Sequence, residues 1–252
     1  MSRGKVGVIV APANPSAEPE LTRLFGSRAD MHVTRFPVRS GPARAEHLES
    51  YAERLEGYNE ALPGMLRAFD GLPLSAMVMA CSEPRYLLGP DEDRDQCAEL
   101  TAAAGVPFTT ATQATREAME HVGVKDIVLV SPYQPWLTEL AERFWKSAGL
   151  NVTQVVQVSA KGGYSSYALT PAELIRQVKL AELPMDAALL FTGTGMATLP
   201  VLGPLSTGTD RLLLTSNLCT AWWALSRTVG EHVTLGQVPH RRPMAAQGRR
   251  PA

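Results

Sequence analysis

The chain has 252 residues, 45% hydrophobic and 19% charged, with a formal net charge of −1. That balance is a globular one, and the length suits one large or two medium domains. No overall field exists to gather nucleic acid or an anionic membrane surface, so a small molecule is the expected partner.

Met1-Ser-Arg-Gly-Lys5 runs straight into the apolar stretch at 6–10, which is too brief for a signal h-region or a membrane span. The three cysteines, Cys81, Cys97 and Cys219, have neither the even count of a disulfide scaffold nor zinc-knuckle spacing. A cytoplasmic chain with reduced thiols is expected.

Short apolar runs then alternate with segments of helical periodicity, the pattern of βα units on a mostly parallel sheet. The first run, Lys5-Val-Gly-Val-Ile-Val-Ala-Pro12, is followed by a helical segment and a strand beginning at His32-Val-Thr. Leu74-Ser-Ala-Met-Val-Met-Ala80 predicts a buried strand that ends at Cys81, and Val106-Pro-Phe-Thr-Thr110 predicts another, leading into a helix that ends at Val122-Gly123.

The pattern then repeats in the same order. Lys125-Asp-Ile-Val-Leu-Val-Ser-Pro132 matches the first strand and Asn151-Val-Thr the second. Met185-Asp-Ala-Ala-Leu-Leu-Phe191 matches the strand before Cys81, and Arg211-Leu-Leu-Leu-Thr-Ser-Asn217 leads to a helix ending at Val229-Gly230. An α/β fold of two pseudo-symmetric, open parallel-sheet (flavodoxin-like) half-domains is expected. The first spans 1–115 and is completed by the helix at 218–230; the second spans 116–217. Residues 239–252, rich in arginine, proline and alanine, predict a solvated, disordered tail, with an anion-binding arm as the alternative.

Two such halves bring the carboxyl ends of their strands together, and open parallel sheets bind ligands there. Cys81 falls at such an end, beside Ser82, where backbone N–H groups can lower a thiol pKa; the alternative is a small buried hydrophobe. Its counterpart in the second half is Thr192. Tyr133, just past Pro132, is placed either to donate into the cleft or as a core tyrosine. Asn14 is its counterpart, although Asn-Pro is also an ordinary turn. In Thr192-Gly-Thr-Gly195 the glycines suit close approach of backbone N–H groups to a small anion, whereas a phosphate loop lacks its full motif. Ser216 and Asn217 end the last strand.

Cys97 and Cys219 read as packing residues, with a place lining the site open for Cys219. Glu83 and Arg85 read equally well as substrate contacts or a surface pair. The histidines at 32, 47, 121, 232 and 240 have no ligand spacing, so neither a metal site nor a Ser-His-Asp triad is expected.

Taken together, Val8-Ile-Val-Ala-Pro-Ala-Asn14, Ala80-Cys-Ser82 with Gly89, Gly105-Val-Pro-Phe-Thr-Thr110, Val130-Ser-Pro-Tyr133 and Thr215-Ser-Asn217 leading to Trp222, Trp223 and Gly230 resemble the aspartate/glutamate racemase superfamily. Within it, the chain resembles the maleate cis-trans isomerase and arylmalonate decarboxylase group, to about Gly230.

The resemblance implies a cofactor-independent enzyme acting on a small carboxylate, with a homo-oligomer expected. It implies Asn14 and Tyr133 as carboxylate binders, Cys81 as nucleophile, and Ser82, Ser216 and Asn217 as anion-hole or orienting groups. Gly193 and Thr194 complete the expected substrate contacts.

The chain departs from the group at Thr192, where relatives carry a second cysteine. A hydroxyl is too weak an acid near neutral pH to replace a thiol in proton exchange, which disfavours two-base racemisation. Glu83 and Arg85 also stand where the family has small or apolar residues, leaving a substrate longer than maleate or of different charge open. Three functions follow: a cis-trans isomerase acting through Cys81, a substituted-malonate decarboxylase with Cys81 as proton donor, and a non-catalytic small-acid binder.

Overall fold

The inner strands are uniformly apolar because both of their faces are covered, and they organise two sheets of one design. The computed structural model describes residues 3–37, 48–228 and 235. The first sheet comprises β1 (Gly4–Val10), β2 (Ala29–Arg35), β3 (Ala76–Ala80) and β4 (Phe108–Thr110), in the order β2-β1-β3-β4. The second comprises β5 (Asp126–Ser131), β6 (Asn151–Gln157), β7 (Ala188–Phe191) and β8 (Leu213–Thr215), in the order β6-β5-β7-β8. Every pairing is parallel. In register, Val10 pairs with Ala80 and Val130 with Phe191, so Cys81 and Thr192 leave their sheets at equivalent points.

Helices connect the strands: α1 (Ala17–Phe25), α2 (Leu48–Met65), α3 (Arg85–Leu88), α4 (Pro90–Ala104), α5 (Ala111–His121), α6 (Pro135–Ser147), α7 (Pro171–Leu180), α8 (Leu199–Ser206) and α9 (Ser216–Thr228). Their limits are written in local chemistry. Proline opens α4, α6 and α7, where its missing N–H costs nothing. Thr110 caps α5 by accepting from the Gln113 N–H, and Thr170 and Glu173 close a capping box on α7. Left-handed Gly105 ends α4.

One apolar cluster runs through both halves. It joins Val8, Leu21 and Leu24 of the first to Leu129, Leu137 and Trp145 of the second, with Trp222 and Trp223 of α9. Although α9 follows β8, it packs back on α1, α5, β1 and β3. A polar stitch crosses the same boundary. The buried carboxylate of Glu20 on α1 accepts from Thr198 Oγ1 at 2.8 Å, from Leu199 N at 2.7 Å and from Asn217 Nδ2 at 2.8 Å. Burial pushes that carboxyl up, and these donors act against the rise.

The expected tail at 239–252, the end of the expected helix at 229–230, and His47, His232 and His240 lie outside the described residues. Among the described residues, no helix is long and apolar enough to cross a membrane.

Candidate active site

The end of β3 is stitched to the ends of β7 and β8 by hydroxyl and amide side chains. Asn14, in the turn after β1, uses its Oδ1 to hold the N–H groups of Ser16 and Ala17, both at 2.9 Å. Its Nδ2 is thereby turned toward the other half, where it donates to Thr194 Oγ1 at 3.0 Å. Thr194 passes the link on by donating to the Ala80 carbonyl at 2.9 Å, immediately before Cys81. Just after Cys81 in the chain, Ser82 Oγ lies 3.5 Å from Ser216 Oγ, which accepts from Gly193 N at 3.1 Å. Asn217 donates to Glu20 and, at 3.2 Å, to the Thr194 carbonyl, so its amide nitrogen spans the seam between halves. The structure thus gathers all the residues expected at the site: Asn14, Cys81, Ser82, Tyr133, Thr192, Gly193, Thr194, Ser216 and Asn217.

The two pseudo-symmetric positions differ in more than element. The Thr192 hydroxyl is hydrogen-bonded to the Tyr86 hydroxyl, which contacts Ser82 as well. Tyr86 enters from α3 and packs edge-on against Phe144, Trp145 and Tyr133 of the second half. Tyr133 itself is buried, yet its hydroxyl has no hydrogen-bond partner among the described residues. An unmatched buried O–H is a standing cost, which a ligand oxygen would relieve.

The expectation that Cys81 carries a lowered pKa is corrected by its surroundings. The thiol is 3% exposed, and burial pushes its pKa up. Glu83, two residues on, pushes the same way with its charge, while the Glu83 backbone N–H and the guanidinium groups of Arg85 and Arg54 pull only partly back. The N–H effect foreseen from sequence is present, but desolvation outweighs it.

Several side chains around the candidate site were not singled out by sequence. On α2, Tyr51, Arg54 and Tyr58 fall three and four residues apart, on one face of the helix. The Tyr51 hydroxyl donates to Glu83 Oε2 at 2.7 Å, and the Arg54 guanidinium lies over the Tyr51 ring, 4.5 Å from its centroid. Tyr58 stacks on Phe36, burial pushing its phenol up to about 12. Tyr167, on the connection between β6 and α7, has its phenol pushed up by burial and by the nearby Glu83 charge, and its ring lies against Gly195. Helical spacing was the available signal for the α2 trio. None existed for Tyr167, in an aperiodic stretch of glycine, serine and tyrosine.

Glu83 and Arg85 do not form the surface pair entertained for them. Arg85 is fully buried and is bound to Asp93 at 2.6 Å, Gln96 at 2.6 Å and Asn59 at 2.9 Å, while Glu83 turns to Tyr51. Cys97, buried on α4 near Thr110, and Cys219, buried on α9 near Thr115, are packing thiols, each pushed up to about 12 by burial.

Gly193 is required on two counts. Its φ is +91°, and a Cβ there would stand 2.3 Å from the Tyr133 hydroxyl oxygen. Gly193→Ala is therefore expected to cost about 1–3 kcal/mol in thermal unfolding and to lower turnover at least tenfold by displacing the phenol. A melting temperature and turnover number matching wild type would refute this geometry.

A family model described as Arylmalonate decarboxylase matches residues 6–238. A maleate isomerase from Geobacillus stearothermophilus is 23% identical over 206 residues, covering 79% of this chain and 81% of its own. The crystal structure of the maleate isomerase Iso from Pseudomonas putida S16 superposes with a TM-score of 0.79 at 18% identity, covering 95% of this chain and all of that one. A mutant Nocardia farcinica maleate cis-trans isomerase with a covalently bound succinylcysteine intermediate superposes with a TM-score of 0.77 at 16% identity, over 90% of this chain and 93% of that one.

Proposed function

The chain belongs to the arylmalonate decarboxylase family, and on that premise we propose that it is a cofactor-independent cis-trans isomerase of a small unsaturated dicarboxylate, with Cys81 as the nucleophile. One observation carries the reading: of the two pseudo-equivalent strand ends, β3 ends in a thiol and β7 in a hydroxyl already tied to Tyr86. Chemistry that needs an acid on each face of a carbon has no second acid here. Chemistry that needs one nucleophile has what it requires.

In this reaction the Cys81 sulfur adds to one alkene carbon, and the π pair moves through the other carbon into its carboxylate, giving an enediolate. The former double bond is now single and rotates. The enediolate then collapses and expels the thiolate, leaving the trans alkene. In this proposal the Tyr133 hydroxyl, which has no partner among the described residues, and the Ser82 and Ser216 hydroxyls stabilise the developing charge, in a buried site where such bonds count for more than in water. The Asn14–Thr194 link ties the two halves together beside Cys81. The succinylcysteine of the Nocardia farcinica enzyme has the carbon–sulfur bond that this route forms, with a proton added at the neighbouring carbon.

Decarboxylation of a substituted malonate, with Cys81 protonating the enediolate, is the second reading, and the family match favours it over mere binding. Isotopes separate the two reactions. Addition and elimination transfer no proton to carbon, so turnover of maleate and related cis acids in deuterium oxide is expected to give a trans product without deuterium and without carbon dioxide. Carbon dioxide release with one deuterium incorporated per turnover would overturn the isomerase reading.

A further inference from the structure

One carboxylate crosses the seam between the halves without a counter-charge. Glu20 is buried, and among the described residues no lysine or arginine pairs with it. Burial pushes its carboxyl up, and only neutral donors act against the rise. A buried charge held in this way costs stability that a well-packed apolar residue would recover. Proteins break packing rules of this kind at functional sites.

What Glu20 orients is the connection from β7 to α8. Its Oε1 accepts from Leu199 N, the first N–H of α8, and its Oε2 accepts from Thr198 Oγ1 and Asn217 Nδ2. The Asn217 nitrogen also donates to the Thr194 carbonyl. Both of its neighbours are acceptors, so the amide can face them in one sense only, and its Oδ1 is left without a partner among the described residues. Thr194 is thereby gripped from α1 at two points. Asn14, which holds the N–H groups at the start of that helix, donates to the Thr194 hydroxyl, and Glu20, one turn on, holds the Thr194 carbonyl through Asn217. The gripped hydroxyl in turn donates to the Ala80 carbonyl, immediately before Cys81.

We propose that Glu20 is a positioning residue for Cys81: through Asn217 it fixes the Thr194 backbone, and Thr194 holds the strand end that carries the thiol. The carboxylate is needed because it offers two acceptor oxygens to three donors. In Glu20→Gln the side chain keeps one oxygen. With that oxygen on Leu199 N, its NH2 meets the Asn217 NH2, donor against donor. If Asn217 reverses to relieve this, its Oδ1 meets the Thr194 carbonyl, oxygen against oxygen. With the Gln oxygen on Asn217 instead, its NH2 meets the Leu199 N–H and the start of α8 comes free. Each arrangement releases one anchor of the 192–199 connection. The role rests on the reading of Cys81 as the reacting group.

Iodoacetamide labelling of the thiols, followed by peptide mass mapping without substrate, reads the strand end directly. Cys81 and Cys97 are both buried, so each reacts only when its surroundings open. In Glu20→Gln, labelling of Cys81 is expected to speed up about tenfold while Cys97, away on α4, keeps its wild-type rate, because the seam loosens locally. General destabilisation would speed both together. Asn217→Ala should act in the same direction, and the double variant should label no faster than the faster single one, since both changes break one chain of contacts. On any acid that the wild type converts, kcat of Glu20→Gln should fall about tenfold with KM within about threefold, because small displacements cost more in reaction than in binding. An unchanged Cys81 rate, equal acceleration of Cys97, effects that multiply in the double variant, or an unchanged kcat overturns the assignment. Because labelling needs no turnover, failure to isomerise dicarboxylates would remove the proposed function while leaving the labelling result standing.

Discussion

Cys81→Ser is expected to lower turnover by about a thousandfold or more, equivalent to about 4 kcal/mol of transition-state stabilisation. The substitution replaces a polarisable sulfur with a hydroxyl that is not ionised near neutral pH, so addition to the alkene loses its nucleophile. The second half holds no substitute, because Thr192 is itself a hydroxyl bound to Tyr86. The fold should be little affected. Serine is close to cysteine in volume, and Ser82, Ser216 and the Glu83 N–H supply polar neighbours, so the stability change should stay near 1 kcal/mol. Cys97→Ser is the matched control, since Cys97 lies on α4 near Thr110 and should leave turnover within about threefold. Steady-state rates on the best cis dicarboxylate, with circular dichroism melts of both variants, make the comparison. Turnover of Cys81→Ser within tenfold of wild type would remove the covalent route.

The fold was legible because parallel α/β architecture leaves local marks. Buried inner strands such as Val8–Val10 and Val128–Val130 are short apolar runs. The duplicated order of strands was visible as repeated sequence, and it placed Cys81 opposite Thr192 before any contact was known. Asn14, Tyr133, Thr194 and Ser216 followed, since strand ends are places in a sequence as well as in space.

What sequence could not supply was anything set by the approach of distant elements. Glu83 reads as half of a local pair with Arg85, but the two separate because α2 brings Tyr51 to one and α4 brings Asp93 to the other. The direction of the Cys81 pKa depends on how completely both halves exclude water, a property of the closed cleft. Asn217 was legible as a strand-end amide, whereas its engagement by Glu20, 197 residues away in the chain, was not.

The segment that carries Cys81 and Glu83 owes its position to a charge with no part in the chemistry, and removing that charge is expected to have the largest effect on stability. Asp93 on α4 is fully buried and accepts from Arg85 Nε at 2.6 Å, Thr112 Oγ1 at 2.6 Å, Gln113 Nε2 at 3.0 Å and Thr110 Oγ1 at 3.0 Å. It thereby ties the turn after Cys81, through Arg85, to the end of β4 and the start of α5. Asp93→Ala leaves the Arg85 guanidinium buried without its counter-charge, and one of its nitrogens, Nη2, already lacks a partner among the described residues. Losing one member of a buried pair typically costs 3–5 kcal/mol, so the melting temperature should fall by roughly 6–20 °C. The double variant Asp93→Ala with Arg85→Met removes both charges and should recover a large part of the loss, because the cost of the single change is mostly the stranded cation. Turnover should fall in the single variant even below its melting range, as the Ser82–Gly89 turn loosens and Cys81 and Ser82 shift at its start. Chemical denaturation of the wild type, both single variants and the double variant closes the cycle. A loss below about 1 kcal/mol for Asp93→Ala, or no recovery in the double variant, would show that α4 does not anchor the turn through this pair.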